Sequence, residues 1–124
     1  MASGMTQERR GAPRVSERIA LAVIGAAEEV RAETANISTA GAYCTMDRFI
    51  SPMTKLQLRF ELPMNPRRVQ VRCEGVVVRA EPVIENPEQG RYHVAIFFSD
   101  ITDRDRSAIA AFVRERLSQG SSTR

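Results

Sequence analysis

The chain has 124 residues, 43% hydrophobic and 27% charged, a balance that fits one compact domain with a buried core and excludes wholesale disorder. A formal charge of +3 with a pI of about 9.4 permits an anionic partner without demanding one. No run of roughly eighteen apolar residues is present to insert into a membrane, and Met1 to Arg10 lacks the apolar segment of a secretory signal, so the expected location is the cytoplasm.

In chain order, residues 1–8 read as a flexible tail, and Gly11 and Pro13 then break any regular structure. A short apolar run follows from Glu17 to Ile24, with a turn at Gly25-Ala26-Ala27. Glu28 to Ile37 alternates: Val30, Ala32 and Thr34 share one face, Glu29, Arg31 and Glu33 the other, the pattern of a half-buried strand. Gly41 to Met46 is another strand-like run, and Ser51-Pro52 is a break. Lys55 to Leu62 alternates again, with Leu56, Leu58, Phe60 and Leu62 on one side, before Pro63 and Pro66 force a turn. Val69 to Ala80 forms a long strand interrupted by Gly75, which marks a bulge or bend. Glu85 to Gly90 is a polar loop, and Arg91 to Phe98 is the last strand.

The C-terminal segment is helical. Thr102-Asp103-Arg104-Asp105 fits a capping box, and Ile109, Phe112, Val113 and Leu117 form one apolar stripe. Asp103 and Asp105 in the first turn, and Arg114 and Arg116 near the last, suit the helix dipole. Gly120 ends the helix, and residues 119–124 form a second flexible tail. Six short strands with frequent turn signals can close on themselves and so remove their exposed edges. Periodicity leaves open whether the helix caps an end of such a barrel or packs on its wall.

Few residues suit catalysis or metal binding. Cys44 and Cys73 lie in apolar runs outside any CxxC or Cys/His cluster and read as buried, reduced thiols, although their spacing in sequence leaves a disulfide open. His93 has no second His or Cys near it, so no metal site is expected. There is no nucleophile–base ordering, no paired acids of useful spacing and no P-loop, so the chain reads as a non-enzyme with no cofactor. Arg67-Arg68, Arg104 and Arg106 read as solvated, and Met46, Met53 and Met64 as core or rim fillers.

Two clusters remain. Arg9-Arg10-Gly11-Ala12-Pro13-Arg14 carries three guanidinium groups on a segment that cannot be helical, and Asn36-Ile37-Ser38-Thr39-Ala40-Gly41 sets small polar side chains at a strand end before a glycine. In this order they resemble the PilZ family, whose mark is RxxxR followed by [D/N]xSxxG. Arg10 and Arg14 match the first part, and Asn36, Ser38 and Gly41 the second. Arg91 to Ile101, followed by a helix, is similar to the family's last strand and C-terminal helix.

The resemblance implies a mainly β domain over residues 9–118: a six-stranded antiparallel PilZ-type barrel with a C-terminal α-helix. It also implies binding of cyclic di-GMP, a bacterial second messenger. Arg10 and Arg14 would contact guanine and phosphate, with Asn36, Ser38 and Gly41 lining the barrel surface beneath. Arginine suits that ligand, because it forks two hydrogen bonds onto a phosphate or onto guanine O6 and N7, and it stacks on a base. Ligand would order the arginine loop and present a new surface to a protein partner. By the same resemblance, a basic residue before RxxxR, here Arg9, points to a stacked ligand dimer. Many members carry an aromatic residue late in the fifth strand. This chain has Val78 there with Arg79 next, so either stacking is weaker or Arg79 supplies it. Asn36 stands where Asp is commoner, keeping an acceptor but losing the charge. The main alternative is a PilZ-like adaptor that binds protein and no nucleotide. A nucleic-acid-binding barrel is disfavoured by only 6% aromatic residues, too few to stack successive bases, so no DNA partner is expected.

Overall fold

The computed structural model describes residues 12–25, 28–84, 88 and 90–122. Six strands, β1 (Ala20–Ile24), β2 (Glu29–Ile37), β3 (Gly41–Met46), β4 (Lys55–Leu62), β5 (Val69–Pro82) and β6 (Tyr92–Ile101), precede one helix, α1 (Asp103–Ser122). The strands close in the order β1-β2-β3-β6-β5-β4, and every neighbouring pair is antiparallel. Closure leaves no unpaired edge, which answers the exposure that a flat sheet of these strands would suffer.

Alternation decides what fills the barrel. Leu56, Leu58, Phe60 and Leu62 of β4 are all buried while Lys55, Gln57, Arg59 and Glu61 face water. Leu21, Val23, Val71, Val77 and Val94 join them from the other strands. Each such side chain stabilises the fold by roughly 1.5–3 kcal/mol on full burial. Thr34 is the polar exception. Its hydroxyl accepts from the Ile19 N–H at 2.9 Å and donates to the Glu17 carbonyl, so the segment entering β1 is tied to β2.

Both β5 and β6 run further than their apolar patterns suggest. Their pairing continues from Cys73↔Ile101 to Pro82↔Tyr92, because each strand's backbone is satisfied by the other beyond the last core residue. Three bulges interrupt the ladders: at Ala35 of β2, between Thr34 and Asn36; at Val78 of β5, between Val77 and Arg79; and at Ser99 of β6, opposite Glu74 and Gly75. Gly75 faces inward. A Cβ there would lie 2.6 Å from Ile96 Cγ2 and 2.9 Å from Leu58 Cδ1, so core side chains occupy the space a larger residue would need.

Helix α1 caps one end of the barrel. Arg106 Nη1 donates to the Thr39 carbonyl between β2 and β3 (3.1 Å), and Arg116 Nη2 donates to the Pro63 carbonyl after β4 (2.8 Å). Arg116 also faces Glu17, just before β1, at 3.5 Å. Ile109, Phe112 and Val113 seal the core beneath. Leu117 departs from the expected stripe, being 44% exposed. The helix also runs through Gly120 to Ser122, so Arg114 and Arg116 lie before its last turn, and Arg116 serves the barrel contact instead of the dipole.

Only half of the capping box forms. The Asp105 N–H donates to Thr102 Oγ1 at 3.1 Å, but the buried Asp105 carboxylate accepts from the Arg72 N–H of β5, also at 3.1 Å. Met46 is buried and Met64 half-buried as expected, whereas Met53 is 77% exposed on a left-handed backbone (φ 75°) in the loop between β3 and β4. Cys44 and Cys73 are buried and outside any disulfide, and burial pushes each thiol up to about 12. Among the described residues no helix is long and apolar enough to cross a membrane.

Candidate functional site

The site begins where the chain first touches the barrel. Val15 pairs with Ile37 through two reciprocal backbone hydrogen bonds of 3.0 Å, and its side chain is buried. With Val15 turned inward, its neighbour Arg14 is turned out. Arg14 Nη1 then donates to Asn36 Oδ1 at 2.9 Å, joining residues 22 positions apart. Asn36 is available only because of the bulge in β2. Thr34 and Ile37 both face the core, so Ala35 and Asn36 are both turned outward; unbroken alternation from Thr34 would have buried Asn36.

Arg79 arrives by the same device on β5. Val77 is buried and opposes Ile96, Val78 has no opposite number, and Arg79 opposes Ala95. Val78 and Arg79 therefore both face outward, where strict alternation from Val77 would have put Arg79 inside. An exposed ion pair with Glu81, Nε to Oε2 3.8 Å, holds Arg79 only weakly.

The turn between β2 and β3 shapes the floor. Ser38 is fully buried, and its hydroxyl accepts from the N–H groups of Ala40 (3.0 Å) and Gly41 (3.3 Å). The Ser38 N–H donates to the Gly41 carbonyl at 2.9 Å. Ser38 thus builds the turn from beneath, and it is not among the residues that line the groove. Gly41 is also buried. A Cβ on it would lie 2.2 Å from the Ile96 carbonyl oxygen, so its small size admits the β6 backbone. Arg9 and Arg10 lie outside the described residues.

These elements enclose an open groove of about 530 Å³ on the barrel wall, lined by Arg14, Asn36, Gly41, Tyr43, Arg79 and Phe97 among others. That volume falls within the roughly 300–1,000 Å³ of small-molecule sites. Two guanidinium groups at one groove favour an anionic occupant. Tyr43 and Phe97 escaped the sequence reading. Phe97 had a signal: it stands between Ile96 and Phe98, both core residues, so its ring must face out, and it is 51% exposed. Tyr43 stacks on His93, ring centroids 5.4 Å apart, which gives that histidine a packing partner. Among the described residues no group of three His, Cys, Asp or Glu could hold a metal ion.

Solved structures share this architecture. The inhibitor of motility MotI/DgrA of Bacillus subtilis superposes with a TM-score of 0.76 at 23% identity, over 89% of this chain and 52% of that one. YcgR of Escherichia coli in complex with c-di-GMP gives 0.67 at 11% identity, over 94% and 51%. The PilZ domain of YcgR with c-di-GMP gives 0.64 at 10% identity, over 94% and 98%. The chain thus spans about half the length of the first two, and identities this low show a common fold. No curated protein matches the chain. The sequence profile of the PilZ domain matches residues 8–115. With nearly the whole described barrel and its cap inside that match, the chain belongs to the PilZ domain family.

Proposed function

We propose that this protein is a receptor for cyclic di-GMP. The observation that carries the reading is the Arg14–Asn36 hydrogen bond, which brings one residue from each half of the family motif to the edge of a single groove. Membership of the PilZ family supports it, as does the likeness to YcgR structures solved with c-di-GMP. The chemistry is suited to the ligand: its two phosphates and two guanines match guanidinium groups that bind oxyanions and guanine edges bidentately. Arg14 and Arg79 are at the groove, and Arg10 is assigned to the ligand by its place in the family motif. Asn36 holds Arg14 in position, while Ser38 and Gly41 set the shape of the floor.

Ligand binding orders the segment from Arg9 to Arg14 over the groove, and the newly formed surface engages a protein partner in the bacterial cytoplasm. The ligand's preference for the closed arrangement supplies the bias. On the same reading Arg9, the basic residue before the first half of the motif, favours a stacked pair of ligands.

Isothermal titration with cyclic di-GMP tests the receptor and the stacked pair. The expected result is binding that Arg10→Ala or Arg14→Ala abolishes, with about two ligands per chain. A stoichiometry near one overturns the stacked pair and leaves the receptor intact. No binding by the wild type at concentrations on the order of tens of micromolar overturns the receptor and favours a nucleotide-independent adaptor.

A further inference from the structure

Phe97 has an exposed ring in the groove that the fold itself does not use. On β6 it pairs with Gly41 of β3 and Val76 of β5. Gly41 offers no side chain, so the ring has no cross-strand cover on that flank. Among the described residues the aromatic contacts join Tyr43 with His93, Phe49 with Tyr92, and Phe60 with Phe98, and none involves Phe97. Tyr43, the other ring at the groove, is thus already stacked, and Val78 has no π face. Half of a Phe side chain left in water forgoes the gain of burial. Here the exposed ring shares its groove with Arg14, Asn36 and Arg79. A flat apolar surface edged by hydrogen-bonding and cationic groups is complementary to a purine base.

Resting on the receptor reading, we infer that Phe97 is the stacking platform for a guanine of the bound dinucleotide, with Arg79 of the adjacent strand facing that base's edge. Guanine presents two acceptors, O6 and N7, on one edge, and a guanidinium can meet both while the base face lies on a ring. Phe97 would therefore contribute affinity for the base, whereas Arg14 contributes affinity for phosphate.

The absence of tryptophan from the chain makes a direct test possible. Phe97→Trp introduces a single indole, whose fluorescence should be quenched as cyclic di-GMP is titrated. Phe97→Leu keeps most of the apolar area but loses the π face, and should weaken binding on the order of tenfold, with its thermal midpoint close to the wild type's. If the wild type binds, Phe97→Leu binds within about twofold of it and the indole emission does not respond, the stacking role is overturned while the receptor reading stands. If the wild type does not bind, the receptor reading fails and this inference falls with it.

Discussion

Among the described glycines, Gly41 is the one where an added Cβ would meet backbone most closely, and Gly41→Ala isolates that approach. A Cβ at this position would lie 2.2 Å from the Ile96 carbonyl oxygen and 3.2 Å from both Ile96 C and Phe97 Cα. All three are main-chain atoms, so no side-chain rotation relieves the clash. Strand β3 must withdraw from β6 by on the order of 1 Å to restore ordinary contact. That movement weakens the Gly41↔Phe97 pairing and the adjacent hydrogen bond from the Phe98 N–H to the Ala40 carbonyl, now 2.9 Å. Overpacking costs about 1–3 kcal/mol, and a compromised backbone hydrogen bond about 1 kcal/mol more. A loss of about 3 kcal/mol follows. With an unfolding entropy of roughly 2.1 cal/mol/K per residue, it lowers the midpoint of a chain this long by about 12 °C. The assay is a thermal melt without ligand, followed by circular dichroism. Gly25→Ala is the control, since the same methyl group there meets nothing nearer than 3.9 Å. A Gly41→Ala midpoint within about 3 °C of the wild type would refute the reasoning, because β3 and β6 would then have room that the structure denies them.

Three further predictions concern the buried groups. Ser38→Ala removes the hydroxyl that accepts from the N–H groups of Ala40 and Gly41, so denaturant unfolding should show a loss of about 1–3 kcal/mol, although Ser38 itself does not line the groove. Cys44 and Cys73 should resist iodoacetamide at pH 8 in the folded protein and react once it is unfolded; rapid labelling in the native state would contradict their burial. Because burial raises both thiols from 9.0 to about 12, the folded chain holds protons that the unfolded chain has released. Their favourable contribution is therefore whole below pH 9 and declines as pH rises toward 12, so replacing both with Ala should flatten the alkaline limb of a stability–pH profile.

The two halves of the site differ in how far the sequence revealed them. Arg14 and Asn36 could be named from motif spacing, and the structure brings them to 2.9 Å. Ser38 and Gly41 belong to the same motif, yet both serve the turn: one satisfies backbone N–H groups from below, the other admits a neighbouring strand. A motif records which residues a site requires and is silent on which of them face the ligand. Phe97 shows the converse. It falls outside the motif, and its outward aim follows only once Ile96 and Phe98 are known to point into the barrel.

By itself the sequence determined the strands, the interior faces and the helix, because a side-chain period of two or 3.6 is written directly in the order of apolar residues. Lys55 to Leu62 needed nothing else. Tertiary structure alone decided that α1 caps the barrel end, since its stripe of Ile109, Phe112 and Val113 would suit a wall equally well. It alone decided that Asp105 turns to Arg72 in place of closing its own capping box. Above all, it turned Asn36 and Arg79 outward through one bulge each. A bulge arises when one strand must fit an extra residue against a partner of fixed register. That mismatch exists only between two strands, and no glycine beside Asn36 or Arg79 marks it in advance.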